Sequence, residues 1–270
     1  MKVDLTDYKK WLKEREVSEN TINNYTKGIN LYFENYDEIT KENLISWKQR
    51  LLEYRKPKTV SLRFCAINSY MFFKGYPATI RVKMPVIQKK SYVENIISEE
   101  EFNQFKNKLL ADKNYKWYLT IKMLGYTGLR VSELQKLTFN DIYKGIYDVC
   151  GKGGKYRRVY IPNKLVKEII EIYGNKNGAD YFITNEKGQE ITTRGISHQI
   201  YALGKKYGIR KEVCHPHSFR HFFAKQFLKR NNDITLLADL LGHSSINMTR
   251  IYLRNSSEEQ HEMINKLCDW

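Results

Sequence analysis

The sequence predicts a mainly α-helical protein with one small antiparallel β-sheet, an α+β fold, divided into two domains. Apolar residues recur at helical spacing through most of the 270 residues. One stretch, "GIYDVCGKGGKYRRVYIP", alternates like two paired strands around a glycine-rich turn. Residues 77–94 hold two prolines and several basic side chains without a helical period, which is typical of a linker. We therefore expect a helical domain at residues 1–78, a linker at 79–94 and a mixed domain at 95–270.

The first domain is predicted to contain four consecutive helices. Their segments are "DLTDYKKWLKER", "SENTINNYTKGINLYFENY", "TKENLISWKQRLLEYR" and "KTVSLRFCAINSYMFFKGY". Ser18 and Thr40 are placed to cap the second and third helices, and Gly75 ends the fourth. Six polar residues on the faces opposite the apolar stripes are candidate contacts for a polyanion: Thr21, Asn24, Lys27, Lys58, Thr59 and Arg63. A solvated surface explains any single one of them equally well.

The second domain begins at a predicted capping box, in which Ser98 and Glu101 precede a new helical run. The chain stays helical through "NYKWYLTIKMLGYTGLR" and then forms the predicted hairpin, with strands at residues 146–150 and 158–161 and "GKGGKY" at its tip. Helices follow, with breaks at residues 174–178, at Pro216 and at Gly242.

The charge of the chain favours a polyanionic partner. Lys and Arg number 46 against 30 Asp and Glu, a formal net charge of +16, and basic residues exceed acidic ones in both halves. Nucleic acid suits this excess better than a membrane surface. No run approaches the roughly 18 apolar residues of a membrane span, and the first residues lack the apolar core of a signal peptide, so we expect a cytoplasmic protein without membrane attachment. Four widely spaced cysteines argue against a disulfide framework.

A cluster of histidines in "CHPHSFR" and "LGHSSINMTRIY" admits three interpretations: a zinc site, a helical core interrupted by polar residues, and a set of residues around a phosphate. A zinc site is disfavoured because His217 and His221 lack the glutamate of HExxH, and no cysteine or carboxylate cluster completes a ligand set. We expect no metal and no other cofactor. A helix-turn-helix in "ITLLADLLGHSSINMTRIYL" would indicate a DNA-binding regulator. It leaves Arg130 in "TGLRVSEL", the lysine-bearing hairpin, and the pair His217 and Arg220 unexplained.

The third interpretation is a site that acts on a phosphodiester. Two buried arginines, Arg130 and Arg220, would neutralise the charge that builds on the nonbridging oxygens during attack. A tyrosine becomes a usable nucleophile when cations favour its phenolate and a histidine accepts its proton. The departing 5′ oxygen needs a proton, which a lysine on the hairpin can supply.

Three motifs in this order resemble the tyrosine recombinases of the phage integrase family, and among these the short, two-domain Xer-type members. They are "TGLRVSEL", "HSFRH", and "LLGHSS" followed by Tyr252 nine residues after His243; "SENTINNY" is more weakly similar to the start of the family's core-binding domain. The resemblance implies a clamp of Arg130 and Arg220, His217 as acid/base and His243 as a donor to phosphate. It also implies Glu133 as a supporting residue and Tyr252 as the nucleophile.

The resemblance further places the catalytic lysine in the hairpin, where Lys152 fits the usual register better than Lys155, which we assign to DNA contact. It implies double-stranded DNA with inverted-repeat sites as the partner, and four protomers on two sites. The four protomers could be copies of this chain alone or could include a related recombinase. Strands would be exchanged through 3′-phosphotyrosine links and a Holliday junction. A type IB topoisomerase, which shares this chemistry, and a helix-turn-helix regulator remain alternatives.

Overall fold

The computed structural model describes residues 3–87, 95–150, 156–243 and 245–253, together with positions 261, 264, 265, 267 and 268. The chain divides into two compact units, Met1–Lys89 and Lys90–Trp270. Each unit has its own apolar core. The predicted fold class, mainly α with a small antiparallel sheet, is confirmed for the described residues.

In the residues that the structure describes, the first unit consists of four helices and a short 3-10 turn. The helices are α1 (Thr6–Glu14), α2 (Glu19–Phe33), α3 (Lys41–Tyr54) and α4 (Pro57–Phe73), and the turn is Ala78–Ile80. The side chain of Thr40 accepts a hydrogen bond from the backbone N–H of Asn43 at 3.1 Å, which caps α3 as predicted. Helices α2 and α4 lie side by side, and Gly28 permits the approach because a Cβ there would lie 3.0 Å from Cβ of Ala66.

The second unit contains the remaining helices and the sheet. The elements are α5 (Glu99–Ala111), α6 (Tyr115–Thr127), α7 (Val131–Leu134), α8 (Phe139–Lys144), β1 (Ile146–Cys150), β2 (Tyr156–Tyr160), α9 (Asn163–Tyr173), α10 (Thr193–Lys206), α11 (Pro216–Arg230), α12 (Ile234–Leu241) and α13 (Ile246–Thr249). Two 3-10 turns, Lys211–Val213 and Arg250–Leu253, precede α11 and follow α13. The capping box at Ser98 and Glu101 is present, with hydrogen bonds of 3.1 and 2.9 Å, and it starts α5 as predicted.

The two strands pair antiparallel, with Val149 opposite Arg157 and Asp148 opposite Arg158. The second strand begins at Tyr156, two residues before the predicted start, because the pairing continues toward the turn until Tyr156 meets Cys150. Arg158 makes two hydrogen bonds to the carboxylate of Asp148, at 2.7 and 2.9 Å. The tip at residues 151–155, and with it Lys152 and Lys155, lies outside the described residues.

The second core positions α11, the helix that bears "HSFRH". Phe219 and Phe222 on α11 pack against Phe102 on α5, with ring centroids 6.1 and 4.6 Å apart. Helix α11 also packs along α6, which ends at Gly128 with φ +64, a conformation that favours glycine. In the described parts of the chain, no helix is long and apolar enough to cross a bilayer.

Candidate active site

Tyr252 lies in the 3-10 turn after α13 and is buried. Its ring packs with a small apolar cluster formed by Ala224, Leu237 and Leu241. The ring centroid lies 5.1 Å from that of His221 and 6.1 Å from that of His243. The predicted nucleophile is therefore held in the interior of the second unit, against two of the clustered histidines.

Arg220 is buried beneath Tyr252 on α11. One of its terminal nitrogens donates to the carbonyl oxygen of Gly128 at 2.7 Å, and the other donates to that of Leu241 at 2.6 Å and faces Nε2 of His243 at 3.2 Å. Burial, followed by the charges of Arg130 and Arg157, lowers the pKa of Arg220 to about 10. The guanidinium stays charged at pH 7 and is fixed from three sides.

Arg130 was expected to be buried, and this is wrong, because its side chain is 42% exposed. It directly precedes α7, where the chain leaves the left-handed turn at Gly128 and turns outward. Glu133, which is buried, accepts hydrogen bonds from the Arg130 backbone N–H at 2.7 Å and from its guanidinium at 2.8 Å. The remaining terminal nitrogen of Arg130 donates to the carbonyl of Gly242 at 3.4 Å. One guanidinium is thus enclosed and the other faces solvent, where a phosphate can approach it.

The four clustered histidines occupy different positions. His215 caps α11, with Nδ1 accepting from the backbone N–H of Ser218 at 3.1 Å, so its role is structural. His217 is exposed, and its ring centroid lies 4.1 Å from that of His221 one turn later. His243 follows the C-terminus of α12 and lies between Arg220 and Tyr252. The structure therefore brings together Arg130, Glu133, His217, Arg220, His243 and Tyr252, six of the seven residues predicted for the reaction.

Comparison with known proteins places this geometry in a family. The model of the phage integrase family matches residues 95–259, which include all six of these residues. The chain belongs to the phage integrase family. It is therefore a tyrosine recombinase by family, as the motifs predicted.

Similar proteins extend the match over nearly the whole chain. A tyrosine recombinase XerC from Leptospira interrogans is 28% identical over 94% of this chain and 88% of its own length. A tyrosine recombinase XerA from Pyrococcus furiosus is 28% identical over 97% and 93%. A crystal structure of XerH site-specific recombinase bound to difH substrate shares the fold, with a TM-score of 0.65 and 24% identity over 92% of this chain and 80% of that one.

In this member of the phage integrase family, the hydrogen bonds of His243 define which ring nitrogen carries the proton. Arginine can only donate hydrogen bonds, so Nε2 of His243 accepts from Arg220 and Nδ1 carries the proton. Nδ1 then donates to the hydroxyl of the buried Thr249 at 2.8 Å. Desolvation, followed by the charge of Arg220, lowers the pKa of His243 to about 4, so the ring is neutral at pH 7. To donate from Nε2 to a phosphate, as the family resemblance implies, the ring has to exchange tautomers.

The surroundings of Tyr252 keep its hydroxyl protonated. Burial raises the pKa of Tyr252 above 10, and the charge of Arg220, a hydrogen bond from Arg220 and the charge of Arg130 only partly offset this. If Tyr252 is the nucleophile, a base must therefore take its proton during attack. Desolvation lowers the pKa of His221 to about 3, which makes it a weak base. His217 also has a lowered pKa, first through desolvation and then through Arg220, and is available as a neutral acceptor.

Sequence reasoning missed Arg157 and Thr249. Arg157 on β2 contacts Glu133 and the carbonyl of Leu240, and Thr249 positions His243. The sequence signal for Arg157 was its position in the "YRRVY" strand, where alternation places it on the opposite face from Arg158. In the structure Arg157 is buried and pairs with Glu133, whereas Arg158 is exposed. Only the packing of β2 against α12 shows what it contacts.

In the first unit, the predicted polyanion contacts lie on two adjacent helices. Thr21, Asn24 and Lys27 are on α2, and Lys58, Thr59 and Arg63 are on α4. Arg63 donates to the backbone carbonyl of Asn24 at 3.4 Å. Thr59 and Arg63 also line a small cleft with Arg55, which the sequence did not single out. These contacts remain a prediction, now with Arg55 as a further candidate.

The zinc interpretation gains no ligand set in the parts of the chain that the structure describes. No three side chains of His, Cys, Asp or Glu there are grouped as a metal site would require. The rings of His217 and His221 instead meet edge to face, with an angle of 69° between their planes.

Proposed function

We propose that this protein is a site-specific DNA recombinase that cleaves and rejoins duplex DNA with Tyr252 as nucleophile. The observation that carries the proposal is the burial of Tyr252 beside Arg220, with Arg130 lowering the pKa of the same hydroxyl. Family membership and the DNA-bound XerH site-specific recombinase of the same fold support DNA as the substrate.

The residues divide the reaction among them. Arg130 and Arg220 bind the nonbridging oxygens of the scissile phosphate and stabilise the charge that builds there. His217 accepts the proton of Tyr252 as its oxygen bonds to phosphorus, and the P–O5′ bond breaks. Lys152 protonates the leaving 5′ oxygen, and the DNA remains attached through a 3′-phosphotyrosine. Because the phosphodiester energy is retained in that link, rejoining needs no nucleotide cofactor.

We further propose that the chain acts as a tetramer on two inverted-repeat sites, through a Holliday junction, either alone or with a related recombinase. Two features of the second unit support self-association. The first is an apolar groove of about 430 Å³ lined by Phe102, Tyr126, Phe222, Phe223 and Phe227, among other residues. The second is the exposure of Ile264 and Leu267 near the C-terminus, which a second copy could cover. Sedimentation of the protein on a duplex with two half-sites tests the assembly, and a single protomer per duplex at saturation would contradict it.

The nucleophile is tested with a nicked duplex library that carries randomised inverted-repeat half-sites. We expect the protein to form denaturation-resistant adducts whose DNA converges on one sequence. Tyr252→Phe removes only the hydroxyl and should form no adduct, while duplex binding persists. The exposed Tyr156→Phe and Tyr160→Phe serve as controls and should still form adducts. Adducts from Tyr252→Phe would assign the nucleophile to another residue.

The same library distinguishes the alternatives. A type IB topoisomerase would form adducts without convergence on paired half-sites. A helix-turn-helix regulator would bind a converged sequence without any adduct, and the structure disfavours it because α13 spans only four residues, Ile246–Thr249, too few for a recognition helix.

A further inference from the structure

The C-terminal end of α12 holds three arginines from three different elements. The last carbonyls of a helix have no partner within it, and they form the negative end of its dipole. Here the backbone N–H groups of Gly242 and His243 take the carbonyls of Asp239 and Ala238, at 2.9 and 3.0 Å. The next three carbonyls each accept from a guanidinium: Leu240 from Arg157 at 2.5 Å, Leu241 from Arg220 at 2.6 Å, and Gly242 from Arg130 at 3.4 Å.

Arg157 is the member of this set that no motif assigns. Its side chain is only 6% exposed, so it is not placed to contact DNA itself. Its stem lies against Gly242, where a Cβ would come within 2.3 Å of Cδ of Arg157. Gly242 has φ +61, and a side chain at this position would therefore be excluded both by its backbone and by Arg157. The turn that leads into His243 is shaped around the Arg157 side chain.

Arg157 also contacts the carboxylate of Glu133, the group that holds Arg130. Glu133 is only 8% exposed and is the one carboxylate in contact with these arginines among the described residues. The buried guanidinium of Arg157 neutralises the carboxylate charge of Glu133. The charge of the exposed Arg130 therefore remains available to a phosphate. Without Arg157, the carboxylate would be balanced by Arg130 alone.

We propose that Arg157 is a positioning residue, which aligns Arg130, through Glu133, with the α12 turn that carries His243. The proposal rests on the proposed recombinase function for its consequence in catalysis, but the alignment itself concerns an anion site that can be measured separately. The Arg157 side chain thus connects Arg130, through Glu133, with the turn that carries His243, and sets the distance between them.

The test compares Arg157→Met and Arg157→Lys with Arg158→Met, a matched change one residue away whose side chain pairs with Asp148 at the surface. Single-turnover adduct formation is measured at saturating concentration on the nicked duplex recovered from the library. We expect Arg157→Met to be slowed by about 100-fold, because misplacement of a group by about 1 Å has an effect of this size. Arg157→Lys keeps the charge, reaches one partner only, and should fall between Arg157→Met and wild type. Arg158→Met should react at the wild-type rate.

A double-mutant cycle shows whether Arg157 acts through Glu133. If it does, Arg157→Met combined with Glu133→Gln should be no slower than the slower single variant. Multiplied losses would show independent action and overturn the proposal, as would an Arg157→Met protein that reacts at the wild-type rate. Melting temperatures accompany each variant, and should Arg157→Met fail to fold, the cycle is run with Arg157→Lys.

A second measurement does not depend on DNA cleavage. Inorganic phosphate is titrated into the whole protein, and the ¹⁵N resonances of the His243 ring and the arginine side chains are followed. We expect phosphate to bind about 10-fold more weakly to Arg157→Met than to wild type or Arg158→Met, because Arg130 would no longer be aligned with the turn that carries His243. This loss corresponds to about 1.4 kcal/mol of binding free energy. Equal phosphate binding in all three proteins would overturn the alignment. A wild type that binds phosphate in this way but never forms a DNA adduct would instead contradict the proposed function.

Discussion

At the scale of single residues, Thr249 provides a hydrogen-bond partner for Nδ1 of His243 in either tautomer of the ring. A hydroxyl can donate or accept, so the pair formed by Nδ1 and Thr249 tolerates either tautomer. In the structure Arg220 selects the form with the proton on Nδ1. When a phosphate oxygen replaces Nε2 as the acceptor for Arg220, the ring can carry its proton on Nε2, and the hydroxyl of Thr249 can turn and donate to Nδ1. Thr249 therefore supports both states of the ring.

Thr249→Val keeps the shape of the side chain and removes this partner. In the wild type we expect the ¹⁵N shifts of the His243 ring to show a protonated Nδ1. In Thr249→Val, because Nδ1–H has lost its acceptor, we expect them to report a mixture of tautomers. The loss of a half-buried hydrogen bond should lower the free energy of unfolding by about 1 kcal/mol. Thr235→Val, an exposed substitution at the start of α12, is the control and should leave the ring unchanged. An unchanged His243 spectrum in Thr249→Val would rule out this role.

The lowered histidine pKa values also predict a pH dependence of stability. The pKa of His221 is about 3 in the folded protein against 6.5 for an ordinary histidine, so below pH 6.5 the unfolded chain binds a proton that the folded chain does not. Stability is therefore highest above pH 6.5 and falls as the pH drops toward 3. We expect the melting temperature to decrease between pH 7 and pH 5, and to decrease less in His221→Phe. The exposed His198→Phe should follow the wild type.

At the scale of elements, a buried ionic group joins α6 to α9. Lys122 contacts the carboxylate of Glu168, whose other oxygen accepts from the hydroxyl of Tyr118 at 2.6 Å. Desolvation raises the pKa of Glu168, but the hydrogen bonds from Lys122 and Tyr118 outweigh it and hold the pKa below 4.5. The lysine side chain is only 10% exposed, so its charge is little screened by solvent. This group fixes the far side of α6, the helix that ends at the Gly128 turn.

Lys122→Met leaves Glu168 without its cation. Breaking a buried pair from one side destabilises strongly, and since Glu168 is partly exposed we expect a loss of about 2 kcal/mol in the free energy of unfolding. Lys206→Met breaks a pair with Asp112 at the surface, where solvent screens the charges, and should change stability much less than Lys122→Met does. Chemical denaturation measures both. Equal effects of the two substitutions would show that the buried pair contributes no more than a surface one.

At the scale of the whole molecule, the net charge of +16 predicts salt-dependent binding to DNA. The basic excess occurs in both halves of the sequence, and α4 carries Lys58 and Arg63. Each phosphate that a protein neutralises adds about 0.9 to the slope of log K against log salt. The slope therefore reports how many phosphates the chain neutralises.

Replacing Lys58 and Arg63 by Gln should reduce the magnitude of this slope by about 0.9 for each phosphate that is no longer neutralised, or nearly 2 for the pair. Replacing Lys9 and Lys10 on α1 removes the same charge from a surface not predicted to meet DNA, and should leave the slope near the wild-type value. Fluorescence titration of a mixed-sequence duplex at several salt concentrations gives the slopes. If both pairs of substitutions lowered the slope equally, the charge would act without a defined DNA-binding face.

The sequence by itself determined the helical class, the caps at Thr40 and Ser98, the hairpin, and the motifs that carry Arg130, Arg220, His243 and Tyr252. These are local properties, because a helical period, a cap or a turn depends on a few neighbouring residues. Only the tertiary structure decided that Arg130 is exposed, and that Arg157, Arg220 and Arg130 meet the successive carbonyls at the end of α12. Likewise, it alone placed Thr249 on His243. Such contacts join residues up to 112 positions apart, and they depend on how α6, β2, α11 and α12 pack, which no local pattern specifies.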